Sequence, residues 1–305
     1  MKRLGWVYHD DFLRHETTPG HPERPQRLQA VTDHLEAEGL VAHLHPLVFE
    51  AADVARICRL HTRSYVERVE HDCEAGVACL DSGDTPVCPE SAQVARLASG
   101  GALAACDCVM SGEVDRAFCA MRPPGHHAER DRAMGFCLFN HVALAADHLV
   151  REHGLDRVAI VDFDVHHGNG TQHLLESRDD ILFISVHQDP ATLYPGTGFA
   201  SETGTDRGQG FTLNIPMTPG SGDTEYARAF DEQVLPRLSA FAPQALLISA
   251  GFDAAAEDPL AHIELTPDGF AGMTRSLVQV AGDSADGRVI SVLEGGYDLG
   301  ALGRG

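Results

Sequence analysis

VAIVDFDVHHGNG, Val158 to Gly170, starts as an unbroken apolar run and ends as a dense set of acids, imidazoles and glycines. A half-exposed strand alternates apolar with polar residues, whereas a strand buried on both faces of a parallel sheet reads as continuous Val, Ile and Leu. The stretch therefore predicts an interior strand over 158–163, with its polar residues arriving where that strand leaves the sheet.

Six more runs have the same character: LGWVY at Leu4–Tyr8, RAFCAM at Arg116–Met121, ILFISV at Ile181–Val186, FTLNI at Phe211–Ile215, ALLISA at Ala245–Ala250 and VISVLE at Val289–Glu294. Helical spacing of apolar residues falls between them, in PERPQRLQAVTDHLEAEGL, SAQVARLASGGALAACDCVMSG, NHVALAADHLVREHG and GDTEYARAFDEQVLPRLSAF. Ser91, Asn140 and Asp223 stand as caps at three of these starts, and Gly39 near the stop of the first. Strands alternating with helices predict an α/β class, with a mostly parallel central sheet and helices on both faces. No repeat, low-complexity segment or Pro/Gly/Ser linker divides the chain, so residues 1–305 read as one domain.

Composition narrows the function. Lys and Arg number 23 against 45 Asp and Glu, a net charge of −22, which argues against a nucleic-acid phosphate partner. The same acidity would attract cationic ligands such as basic peptides or polyamines, although solubility accounts for it equally well. MKRLGWVYHDDFLRHE turns polar too soon for a signal peptide, and no later run reaches membrane-spanning length, so the expected location is the cytoplasm. The 8 cysteines (Cys58, Cys73, Cys79, Cys88, Cys106, Cys108, Cys119 and Cys137) form no Cys-x-x-Cys pair and read as free, buried thiols.

Four polar constellations follow four of the predicted strands. They are Pro-Gly-His126-His127 after RAFCAM, Asp162-x-Asp164-x-His166-His167-Gly-Asn169 at the end of VAIVDF, Asp253 after ALLISAGF, and Gly295-Gly296-Tyr297 after VISVLE. In an open parallel sheet the strands' carboxyl ends share one edge, and ligands bind in the crevice there. Segments distant in sequence are thus expected to meet at one site.

Asp164 and His166, two apart on extended backbone, leave the same face and can grip one metal ion. With Asp253 they make two carboxylates and one imidazole, a set suited to Zn²⁺ or another divalent first-row ion, with a coordination position open to water or substrate. Any one of these aspartates alone would be read as a turn or helix cap. Metal-activated water still needs a base to take its proton and an acid to protonate a leaving amine, and His126 and His127 could divide or share those tasks. Asp162 could orient one ring and Asn169 the other. Two bare histidines would read as a solvated loop, but Pro-Pro-Gly before them and GFCLF after point to a rigid, buried turn. Tyr297, after two glycines, could turn its phenol toward a carbonyl oxygen and stabilise an oxyanion, or be an ordinary core tyrosine.

RPPGHHAERDRAMGFCLFN, VDFDVHHGNGTQ, LYPGTG, SAGFDAAAEDPL and LEGGYDL, with HPERPQRL earlier, resemble the histone deacetylase superfamily, and more closely its class II and bacterial histone deacetylase-like amidohydrolases. The similarity covers nearly the whole chain in the family's order. It implies an arginase-deacetylase fold, one catalytic Zn²⁺ on Asp164, His166 and Asp253, and hydrolysis of an acyl amide on an amine side chain. It also implies His127 as general base and acid, His126 as its electrostatic partner and Tyr297 as the carbonyl-polarising group. An acyl-lysine tunnel would be walled by Gly135, Phe136 and Tyr194, and a structural K⁺ held by Asp162, Asp164, His166, Ser185 and Val186. Arg27 matches a residue lining an internal pocket, and Asp84 a rim residue that holds the substrate backbone.

Departures from the family pattern bear on specificity. Tyr194 replaces the common Phe and adds a hydroxyl that could bond a substrate amide; Asn169 stands where class I members carry Asp, as in class II. Leu260 stands where the polyamine-preferring branch has a Glu for a second ammonium, which favours acetylated lysine in peptides or proteins over acetylated polyamines. The chain ends at Gly305, earlier than the family pattern, in which further helix follows. A binuclear, arginase-like hydrolase is disfavoured because Gly168 stands where another Asp would help. A catalytically silent acyl-lysine binder is disfavoured by the complete acid-base set. Self-association into a homo-oligomer stays open.

Overall fold

The computed structural model describes residues 3–81 and 83–305. Its strands are β1 (Leu4–Val7), β2 (Leu44–Pro46), β3 (Cys79–Leu80), β4 (Thr85–Pro86), β5 (Arg116–Cys119), β6 (Val158–Asp162), β7 (Ile181–Gln188), β8 (Thr212–Met217), β9 (Ala245–Ala250) and β10 (Val289–Leu293). One 8-stranded sheet runs in the order β2-β1-β5-β10-β9-β6-β7-β8, with every neighbouring pair parallel. β3 and β4 form a separate antiparallel pair.

All seven apolar runs are strands of that sheet, and β6, β7 and β9 are buried along their whole length. The reason is visible within β6. Val158 and Ile160 pack into the hydrophobic layer on one face, while Ala159 and Val161 pack into the layer on the other. Each large apolar side chain buried this way contributes roughly 1.5–3 kcal/mol. A polar substitution such as Ile160→Asn would strand an amide between the layers. The first layer is covered by the helices Gln26–Ala37, Arg63–Glu74, Ser91–Met110 and His141–His153. The second is covered by Asp223–Phe241 and Pro267–Ser284.

Local departures have local causes. Asn140 caps its helix by accepting from the Ala143 N–H at 3.0 Å. Ser91 does not cap: its hydroxyl takes the Cys88 N–H at 2.8 Å and lies 2.7 Å from His15 Nδ1. Asp223 instead receives the N–H and hydroxyl of Thr266 at 2.9 and 2.6 Å, tying two helices together. The GDTEY helix is interrupted by a π turn over Phe230–Val234, just before Pro236, which has no N–H to offer the preceding turn. β2 has no Val/Ile run to announce it. It is an exposed edge strand whose Pro46 is tolerated there. The eight cysteines are all free; Cys73, Cys106, Cys119 and Cys137 are buried, and the other four only partly. Among the described residues no helix is long and apolar enough to cross a membrane.

β5, β10, β9 and β6 are consecutive in the sheet. These are the four strands followed by the four polar constellations, so the topology delivers all of them to one stretch of the carboxyl edge.

Candidate active site

The turn after β5 is fixed from the end of β10. Glu294 Oε2 accepts the N–H groups of Gly125 and His126 at 2.7 and 3.1 Å, which holds the histidine pair in place. The two imidazole rings lie 4.0 Å apart, centroid to centroid. His126 Nδ1 is 3.0 Å from Asp162 Oδ2, and His127 Nδ1 is 2.7 Å from Asn169 Oδ1.

Their environments drive them apart. Burial works against a charged His126, but Asp164 and Asp162 outweigh it and push the ring up to about 10. His127 is held well below the usual imidazole range by burial, by the neighbouring charge of His126 and by that of His166. The site thus sets a neutral imidazole beside a cationic one.

Asp164, His166 and Asp253 converge next to this pair. Their ligand atoms all lie within 4.8 Å of one another, and all three residues are buried. His166 Nδ1 is 3.2 Å from Asp164 Oδ1 and 3.1 Å from Asp253 Oδ2. The remaining carboxylate oxygens are spoken for: Asp164 Oδ2 takes the Gly295 N–H at 2.8 Å, and Asp253 Oδ1 the Val165 N–H at 3.0 Å. A tetrahedral zinc site with arms of about 2.0–2.1 Å has ligand–ligand edges of roughly 3.3 Å, close to the spacing here. Two buried carboxylates facing one point also need a cation, and they push His166 up to about 10 against its burial. The residues therefore fit a single divalent ion. Another trio, Asp107 with His148 and His153, differs: both Nε2 atoms sit 2.7 Å from Asp107 Oδ1, an ordinary charge-assisted hydrogen-bond length.

Two glycines make the close approaches possible. A Cβ on Gly295 would lie 2.1 Å from Asp253 Oδ2, and one on Gly135, at φ +57°, would lie 2.3 Å from the His127 ring. Beside them a cavity of about 260 Å³ is walled by Phe136, Leu193, Tyr194 and Leu260 and also lined by Asp84, Gly135, His127, His166 and Tyr297. The Tyr297 ring stands edge-on to Phe136 at 5.8 Å, and the Tyr194 ring edge-on to His127 at 5.2 Å. Burial raises the Tyr297 phenol well above its ordinary value, so it remains a donor.

Tyr194, whose hydroxyl was expected to reach a substrate amide, lines the cavity together with Asp84. Asp84 also accepts from the Gly135 N–H at 3.2 Å, which joins the rim to the tunnel wall. Ser185 lies opposite Asp162 in the β6–β7 register, and its hydroxyl is 2.8 Å from His187 Nδ1; Val186 is buried next to it. Gly168 brings no further ligand to the triad. Arg27 is buried behind Tyr297, donating to the carbonyls of Gly296 and Glu294 at 2.6 and 2.5 Å.

Several supporting residues went unnamed in the sequence reading. Glu294 closes the VISVLE run, and Glu23, in HPERPQRL, forms a buried ion pair with Arg122 just before the histidine turn. Asp258, in the AAAEDPL stretch, accepts the N–H groups of Tyr297 at 2.6 Å and Leu260 at 3.0 Å, coupling the phenol turn to the tunnel wall. Each lay inside a quoted motif, so the motifs carried the signal, but nothing in spacing told a partner from a bystander.

Comparison with known proteins gives a consistent result. A family model described as "Histone deacetylase domain" matches residues 21–305. The chain is 42% identical to the histone deacetylase-like amidohydrolase of Pseudomonas aeruginosa, over 96% of this chain and 75% of that protein. It is 38% identical to the human polyamine deacetylase HDAC10, over 97% of this chain and 46% of that protein. The crystal structure of the HDA15 HD domain superposes with a TM-score of 0.94 at 38% identity, covering 99% of this chain and 85% of that one.

Proposed function

The chain belongs to the histone deacetylase family of hydrolytic deacetylases, and from that premise we propose that it cleaves the acyl amide of Nε-acyl-lysine in peptides or proteins, releasing acetate. The observation that carries this reading is one cavity lined by His127, His166 and Tyr297, with Asp164 and Asp253 gathered on His166 and the His126 ring beside that of His127. We take residues 1–305 as one deacetylase domain.

Zn²⁺ bound by Asp164, His166 and Asp253 would supply a Lewis acid and an acidified water. His127, with its Nδ1 proton on Asn169, keeps Nε2 free to take the water's proton. Beside a charged His126 the protonated ring is a strong acid, so it readily passes that proton to the leaving amine. Tyr297 donates to the amide oxygen as negative charge builds there. The water oxygen bonds to the acyl carbon, the C–N bond breaks, and acetate and a free amine leave. Phe136 and Tyr194 would flank the lysine stem, excluding water from it. Asp162, Asp164, His166, Ser185 and Val186 would hold a structural K⁺, a reading supported by the pairing of Asp162 with Ser185. Free cysteines throughout fit a reducing cytoplasm.

Acetylpolyamine hydrolysis is the second reading, favoured by the net charge of −22. Against it stands Leu260, an apolar residue lining the tunnel, which offers nothing to a second ammonium. A turnover panel on zinc-loaded protein separates the two. Higher kcat/KM on acetyl-lysine peptides than on N-acetylated polyamines supports the first, and the reverse order selects the second.

A further inference from the structure

Asn169 can present either end of its amide to His127, and only one end leaves His127 usable as a base. With Oδ1 facing Nδ1, as here at 2.7 Å, the imidazole carries its proton on Nδ1. With the amide reversed, Nδ2 would donate to Nδ1 and the proton would move to Nε2, leaving no lone pair for water. A carboxylate at position 169 would present an acceptor either way; an amide has to be told which way to face.

The instruction comes from the other side of the amide. Asn169 Nδ2 lies 2.5 Å from Glu129 Oε1, 3.3 Å from Met134 Sδ and 3.5 Å from the His127 carbonyl oxygen. All three are acceptors, and Glu129 is the charged one. A reversed amide would set its oxygen against that carboxylate. Glu129 is itself held by His173, whose Nδ1 is 2.8 Å from the same oxygen. Glu129 is partly buried beneath the half-exposed His173, so the pair joins Asn169 to the surface.

We propose that Glu129 is a positioning residue which fixes the orientation of the Asn169 amide and, through it, the tautomer of His127. This rests on His127 being the base of the proposed deacylation. The chain from base to surface runs His127, Asn169, Glu129, His173, and Glu129 touches neither substrate nor metal ligand.

The test is a double-mutant cycle in zinc-loaded protein, read by steady-state kinetics on an acetyl-lysine peptide and by ¹⁵N NMR of the histidine rings, with His127 assigned by its loss in His127→Phe. Glu129→Ala should lower kcat roughly tenfold to hundredfold, the usual scale for removing an orienting partner, with KM nearly unchanged. Glu129→Gln, near-isosteric and able to satisfy either amide orientation, should fold normally and give His127 a mixture of the two tautomers. In an Asn169→Asp background Glu129→Ala should cost nothing, because the carboxylate accepts from Nδ1 whichever way it turns. Equal losses in both backgrounds, or an unchanged His127 tautomer in Glu129→Gln, would overturn the assignment. The tautomer readout stands even if no acyl amide is hydrolysed, so failure of the deacylase reading is recognised separately.

Discussion

The guanidinium carbon of Arg27 lies 4.9 Å from the ring centre of Tyr297. The same side chain donates to the carbonyls on either side of Gly295 and pairs with buried Glu23, so one residue fixes both the face and the turn of the phenol. Arg27→Met keeps much of the volume but takes the donor from those two carbonyls, while Glu23 keeps Arg122 and His15 as partners. The expected cost is about 2–4 kcal/mol of stability, with kcat falling more than KM rises. Urea unfolding and steady-state kinetics check both; an unchanged midpoint would show the pairing to be idle.

Acid should destabilise the fold through His61. Its Nδ1 lies 2.8 Å from the Glu129 carbonyl oxygen and its Nε2 accepts the Asn140 N–H at 3.0 Å, so the ring is needed neutral. Burial holds it down to about 4. An unfolded histidine titrates near 6.5, so between roughly pH 6.5 and 4 the unfolded chain binds a proton that the native state refuses. Stability present above that window is therefore lost as pH falls through it, by on the order of 3 kcal/mol from this group. His141, also held to about 4 by burial, adds in the same direction. Urea midpoints between pH 7.5 and 4.5 should fall more steeply for the wild type than for His61→Gln. Parallel slopes would remove His61 from the account.

Leu260→Glu should move preference toward acetylated polyamines. Leu260 lines the cavity beside Tyr194, and a carboxylate there would meet the distal ammonium in partly solvated surroundings. A gain of about 1 kcal/mol, roughly fivefold in relative kcat/KM, is the expected scale, shrinking with added salt. No change in the ratio would mean that the second ammonium lies elsewhere.

Metal loading should stabilise the fold as well as activate it. Asp164 and Asp253 are fully buried and face the same point. Zinc at a thousandfold excess over Kd adds about 4 kcal/mol, seen as a rise in Tm. Asp253→Asn should abolish that rise; an equal rise in the variant would move the ion away from this triad.

Much of the fold was legible because one physical signal repeats. Continuous apolar runs mark strands buried on both faces, and all seven joined the sheet, while β2, short and exposed, lacked that signal. The convergence of the site was legible for the same reason, since each motif sits at the end of such a run. What the sequence could not display was the choice among polar neighbours. Ser91 and Asp223 look like caps and instead bind across the fold. Glu129 and Glu294 became meaningful only when distance named their partners, Asn169 and the Gly125–His126 backbone.

Hydrolysis of an acyl amide in this tunnel, with His127 as base and Tyr297 as donor to the carbonyl oxygen, is read as acetate release from an acetyl-lysine peptide, comparing zinc-loaded wild type with His127→Ala and Tyr297→Phe and measuring bound zinc alongside. The account predicts turnover by the wild type, losses of roughly 10²–10⁴ in the histidine variant and 10²–10³ in the tyrosine variant, and unchanged zinc content in both. Near-wild-type turnover in both variants would contradict it.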